Sequence, residues 1–293
     1  MIHYLTELGR DFKGERALEW MEQHTEVPAV AVALYLALVL YVPDSIMAHR
    51  QPMNLRGYNI LWNLLLTVFS AAGAYYCVPR LIEWCTAPAI PGLVPPRPGE
   101  PAPVVPGSLY NSLCYWNQGM FVDGTAAMWM LLINLGKIPE MLDTAFLVFQ
   151  KKPVIFLHWY HHLTVMLFCW HAYAYTISSG LWFATMNYCV HSIMYFYYFV
   201  CACGLRKIIR PIAPLITMLQ ILQMAVGTFI VVYTYVVKGV VGESCGVNDP
   251  NLRMGLMMYV SYLVLFSQLF HRNYMAPASK SSSKMANGEK KAK

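Results

Sequence analysis

Seven apolar stretches constrain this chain more than any other feature: residues 27–43, 58–78, 119–136, 154–175, 181–203, 211–237 and 254–271. Each is close to the roughly 17 to 25 residues that a helix needs to cross a ~30 Å hydrocarbon core. None contains a lysine or an arginine. With 57% hydrophobic and 12% charged residues, the chain is far from the roughly 25% charge of soluble domains. Lipid offers backbone groups no partner, so the expected class is an all-α integral membrane protein with seven transmembrane helices. The first stretch follows an acidic amphipathic segment, Glu7 to Glu26, where a cleavable signal would carry a basic start, so it is expected to be retained.

Charge orients the bundle. The first 26 residues hold six acids against three bases, and the connections 79–118, 176–180 and 238–253 each sum to zero. On the alternate side, 43–57 and 136–153 net +1 each, 204–211 nets +3 and the tail from His271 nets +5. The positive-inside rule therefore predicts a lumenal N-terminus and a cytosolic C-terminus. The excess of bases belongs to one membrane face and does not describe a nucleic-acid-binding surface.

Three regions follow: an acidic lumenal segment, 1–26; a span-bearing unit, 27–271, with a Pro-rich lumenal loop at 87–107; and a basic cytosolic tail, 272–293. The prolines forbid a helix interior in that loop, which reads as an extended spacer. The tail is polar and aperiodic, as disordered segments are. Its last residues include Lys290, Lys291 and Lys293, a dilysine-like pattern for return to the endoplasmic reticulum. Eight cysteines show no metal-ligand spacing. Cys114 and Cys245, in lumenal connections, are the preferred disulfide pair, with Cys85 as the alternative partner.

Four polar clusters interrupt the apolar pattern. KIPEMLDT places Lys137, Glu140, Asp143 and Thr144 on one broad helical face, at what reads as the cytosolic boundary. HWYHH sets His158, His161 and His162 inside a span. NYCVHSIMYFYY carries Asn187, His191, Tyr195, Tyr197 and Tyr198, and TMLQILQ carries Thr217, Gln220 and Gln223. Salt pairing would explain the first cluster without any function, interfacial anchoring the tyrosines and interhelical hydrogen bonds the glutamines. Ionisable rings in mid-span default to a functional site. His161 lies about 13 Å from the cytosolic Lys152 and His191 about 18 Å from the end near Cys203, at 1.5 Å per residue. Antiparallel neighbours would bring them to similar depth in one polar pocket.

A histidine box also occurs in di-iron membrane desaturases and hydroxylases, the alternative reading. Those enzymes need several boxes, whereas this chain has one, so a metal is disfavoured even with Glu140 and Asp143 nearby. A seven-span receptor would have no use for three clustered imidazoles.

Together, in this order, the four clusters resemble the very-long-chain fatty acid elongase family, the ELO condensing enzymes. The patterns KxxExxDT, HxxHH, NxxxHxxMYxYY and TxxQxxQ are matched at each defining position between 137 and 223. The Pro-rich loop departs from the family and touches no motif. The resemblance implies a 3-ketoacyl-CoA synthase of the endoplasmic reticulum membrane that joins malonyl-CoA to a long-chain acyl-CoA. It implies six helices around a narrow tunnel with the first helix outside, and no bound cofactor or metal. It also implies the lipid bilayer and the ketoacyl-CoA reductase, dehydratase and enoyl-CoA reductase of the cycle as partners, and is compatible with a homo-oligomer. Trp159 and its flanks resemble the branch acting on saturated and monounsaturated chains.

Within that resemblance, His161 is expected to be an imidazole nucleophile towards a thioester, giving an acyl-imidazole intermediate. His191 would stabilise the enolate. His158 and His162 would be held in their tautomers with Asp143 or Glu140 as acceptors. Asn187, Tyr197 and Gln220 are candidates for thioester contacts, and Lys137, Arg206, Lys207 and Arg272 for the phosphates of CoA.

Overall fold

A computed structural model describes residues 2–90, 105–116 and 122–276, with side chains from Thr6 onward. Most of the Pro-rich loop and the tail beyond 276, with its dilysine pattern, lie outside the described residues. Among the described residues eleven α-helices of six residues or more carry the fold: α1 (Ile2–Arg10), α2 (Glu15–Gln23), α3 (Glu26–Leu40), α4 (Arg56–Thr86), α5 (Leu109–Cys114), α6 (Gly124–Gly136), α7 (Leu142–Phe149), α8 (Phe156–Ala174), α9 (Gly180–Val200), α10 (Ala213–Val236) and α11 (Asp249–Phe270). No strand occurs among the described residues, only the isolated bridges Lys13–Asp123 and Ile90–Val105.

A helix overlies each of the seven apolar stretches, but they are unequal. Among the described residues three helical stretches, 56–86, 180–241 and 249–275, are long and apolar enough to cross a membrane, or four if the bent pair 15–23 and 26–40 is taken as one. The 62-residue stretch 180–241 is broken at Gly204, whose φ of 95° turns the chain, so α9 and α10 pack side by side. Helix α6 departs most from expectation. It has 13 residues, a length of roughly 20 Å, because Pro139 opens a new turn just beyond Gly136. Its Ala126 to Leu131, Ile133 and Asn134 are all buried, so protein covers it on every side.

Neighbour contacts run from α4 to α6, α8, α11, α10 and α9 and return to α4, while α3 packs on α7 and α8. The connections alternate between two ends. At one end Lys151 Nζ donates to Ala48 O, Met53 N to Phe149 O, and Arg56 to Ala202 O and Cys203 O. These are the segments that carry the excess of bases.

At the other end Ser178 N donates to Gly246 O and Gly246 N to Cys114 O. The N-terminal segment docks there as two helices, with Met21 fully buried and its carbonyl accepting from Trp170 Nε1. Cys114 and Cys245 form a disulfide across 131 residues, and Cys85 is free. A link of that span removes unfolded-state entropy. The double variant Cys114→Ser/Cys245→Ser is expected to lose about 2–4 kcal/mol, read as a lower melting temperature in detergent that reductant no longer changes.

Candidate active site

The break after α6 builds the first part of the site. Lys137 ends α6 and Glu140 lies in the turn Pro139–Met141, so Lys137 Nζ reaches both carboxylate oxygens at 2.8 and 3.0 Å. The two residues are 2% and 3% exposed. This corrects the expectation that Lys137 lies at the cytosolic mouth to bind phosphate: it is a buried cation whose charge is already met.

Its third bond defines the next residue. Lys137 Nζ donates to Asn187 Oδ1 at 2.9 Å, and Asn187 Nδ2 lies 2.9 Å from His191 Nε2. An ammonium only donates, so Oδ1 must face Lys137 and the amide N–H must face the ring. His191 Nε2 therefore accepts, and the imidazole carries its proton on Nδ1. The chain Glu140–Lys137–Asn187–His191 thus sets one tautomer with three hydrogen-bonding links. Four-residue spacing on α9 stacks Asn187, His191 and Tyr195 along one face.

Asp143 is held separately. It accepts from Trp62 Nε1 at 2.6 Å and from Tyr195 Oη at 2.9 Å, and the Tyr195 ring meets His191 edge-on with centroids 5.4 Å apart. His158 Nε2 lies 2.9 Å from Thr144 Oγ1, which is 2.8 Å from Tyr35 Oη. Neither Glu140 nor Asp143 is a hydrogen-bond acceptor for His158 or His162. The expected carboxylate–histidine bonds are replaced by a threonine, because the α6–α7 break turns both acids towards other donors.

On α8 the three rings cluster at i, i+3 and i+4, with His158–His162 and His161–His162 centroids 4.6 and 5.4 Å apart. Tyr262 of α11 packs on His161 at 5.1 Å and donates to its backbone carbonyl at 3.0 Å. Among the described residues no three His, Cys, Asp or Glu side chains are placed to hold one metal ion.

Two cavities meet at these residues. A polar one is lined by His158, His161, His162, His191, Tyr197 and Gln220, among others, and extends to Asn273 and Tyr274. An apolar one runs the other way between Met130, Val165, Phe168, Phe183, Met258 and Tyr259. His161, Asn187, Gln223 and Met224 line both, so His161 stands where a polar head and an apolar tail would join. Gln220 donates to Met194 Sδ at 3.2 Å.

Arg206 lines a neighbouring cavity with Lys152, Asn59 and Asn63, across a wall that includes His158 and Asp143. Lys207 and Arg272 are exposed and line neither of the two central cavities. Sequence reasoning missed Trp62, Tyr35 and Tyr262, whose motif-free positions give no signal. Gln223 had one, since it is the last position of TMLQILQ.

The pattern of the family described as ELO: GNS1/SUR4 matches residues 20–282. "Fatty acid elongase 3" of Trypanosoma cruzi (strain CL Brener) is 68% identical over 98% of this chain and 97% of its own length. "Fatty acid elongase 3" of Trypanosoma brucei brucei (strain 927/4 GUTat10.1) is 57% identical over 93% of this chain and 91% of its own. "Very long chain fatty acid elongase 4" of Trypanosoma cruzi is 47% identical over 99% and 98%. A match over most of the chain, together with four motifs converging on one buried site, shows that the chain belongs to the ELO: GNS1/SUR4 family, whose trypanosomal members here bear the name fatty acid elongase.

Proposed function

We propose that this membrane protein is the condensing enzyme of fatty acid elongation, joining malonyl-CoA to a long-chain acyl-CoA through an acyl-imidazole on His161. One observation carries the reading: His161 lines both the polar and the apolar cavity. A thioester with its tail in the apolar arm and its CoA in the polar arm brings its carbonyl to that ring. A neutral imidazole nitrogen attacks the carbonyl and the CoA thiolate leaves, taking up the proton that the acylated ring sheds. Malonyl-CoA then occupies the polar arm and loses CO₂. The resulting enolate carbon attacks the acyl-imidazole carbonyl, the C–N bond breaks, and the departing ring nitrogen takes up one proton from water at the polar mouth, giving 3-ketoacyl-CoA and neutral imidazole.

His191 Nδ1–H is the donor for the enolate oxygen, and its tautomer is what the Lys137–Asn187 relay supplies. Glu140 and Lys137 are positioning residues in this scheme. Asp143 acts through Tyr195, and Thr144 orients His158. Tyr197 and Gln220 flank the thioester, while Arg206, Lys207 and Arg272 attract the CoA phosphates at the polar end. No metal takes part, so elongation should withstand chelators.

The ring of α4, α6, α8, α11, α10 and α9 forms the tunnel wall, and these six with α3 are the seven spans. The polar arm faces the cytosol and the disulfide end the lumen of the endoplasmic reticulum, an orientation supported by the segregation of bases to one end. The reductase and dehydratase steps fall to other enzymes. The test is to incubate the purified chain with malonyl-CoA and acyl-CoAs of 10 to 22 carbons on the order of KM, typically 1 μM to 1 mM, and identify the products by mass. Ketoacyl-CoA two carbons longer than the substrate is the expected product. Desaturated or hydroxylated acyl chains would overturn the assignment.

A further inference from the structure

The apolar arm has a wall whose position is set from behind. Phe168, Phe183 and Tyr259 line it and form one aromatic cluster, with centroids 5.9 Å apart for Phe168–Phe183, 6.2 Å for Phe168–Tyr259 and 5.2 Å for the nearly parallel Phe183–Tyr259 pair. Tyr259 is 4% exposed. Its ring lies flat against Gly227 of α10, where an added Cβ would stand 2.3 Å from Cε1 and 2.5 Å from Cδ1. Gly227 is buried and follows the cavity-lining Gln223 and Met224 by four and three residues, on the same helical face. Gly255 treats Phe168 similarly but more loosely, with a Cβ 3.1 Å from its Cε2.

Carbon contacts settle near 3.5–4.0 Å, so a methyl group at Gly227 displaces the Tyr259 ring by about 1 Å or more. Helix α10 blocks one side and the stacked Phe183 another. The cavity is the open direction. We infer that Gly227 sets the calibre of the acyl arm by recessing the Tyr259 ring, and so fixes the length of acyl chain the site accepts. Gly227 touches no substrate; it is a positioning residue, and the inference rests on the apolar arm holding the acyl chain as proposed above.

The test compares kcat/KM for decanoyl-CoA and octadecanoyl-CoA in full-length wild type, Gly227→Ala, Tyr259→Val and the double variant. Gly227→Ala is expected to lower the octadecanoyl-to-decanoyl ratio about tenfold, the scale of a methylene misfit in an apolar pocket. Tyr259→Val should raise the ratio, and in its background Gly227→Ala should have little further effect on it, because the ring that the methyl group displaces is gone. An equal fall on both substrates, or additive effects in the double variant, overturns the inference. Should Gly227→Ala fail to fold, an unchanged ratio in Tyr259→Val overturns it as well. A wild-type protein that condenses neither substrate removes the reading beneath it, a result distinct from any change in ratio.

Discussion

His161→Ala is expected to abolish condensation, with a fall in kcat of at least about 10³-fold, the scale seen when a nucleophile is removed from a site that still binds and orients substrate. The fold should survive. His161 is only partly buried, its rings contacts are to His162 and Tyr262, and the bond from Tyr262 goes to its backbone carbonyl rather than to its side chain. Loss of activity with a normal melting temperature and intact acyl-CoA binding is therefore the expected pattern. His191→Ala should differ, since it removes an enolate donor and leaves acylation in place. That variant is expected to release free CoA from acyl-CoA once per site and then stall.

The second large effect lies in the Lys137–Glu140 pair. Breaking a buried ion pair from one side leaves an uncompensated charge and costs about 3–5 kcal/mol. Lys137→Ala and Glu140→Ala are each expected to give protein that aggregates on extraction or melts well below the wild type. Replacing both with apolar residues of similar volume, Lys137→Met with Glu140→Leu, removes both charges and is expected to restore much of the stability. Activity should not return. Without the ammonium nothing holds Asn187 Oδ1, the amide can rotate, and His191 loses its enforced tautomer. A double variant both stable and active would show the pair to be structural alone. Fluorescence-detected size exclusion with melting, beside the condensation assay, separates the two outcomes.

These expectations show what the sequence could reveal. The all-helical membrane class and the family followed from apolar length and from four motifs, because both are local properties. The i, i+3 spacing of Lys137 and Glu140 signalled a pair, but not that Pro139 would fold it inward. Burial is a tertiary property, and a lysine next to an apolar stretch reads equally as a boundary charge. The acceptors for the histidine box were misassigned for a similar reason. Asp143 looked like a second-layer carboxylate, yet Trp62 and Tyr195 from two other helices take both its oxygens.

Helix α6 was read as a full span, but it has 13 residues and is buried by its neighbours, a property of packing that apolar length does not record. Gly227 had no signal at all. Its role depends on a ring 32 positions away on the facing helix, a proximity that no period or motif records.

Peptide mapping by mass spectrometry, after the full-length protein is mixed with acyl-CoA alone and without malonyl-CoA, reads the acyl-imidazole on His161 directly. One acyl group per chain is expected on the HWYHH peptide, on His161, discharged as 3-ketoacyl-CoA when malonyl-CoA is added. An adduct on another residue that persists undiminished in His161→Ala, or rapid condensation with no acyl-enzyme formed on the way, would contradict that role for His161.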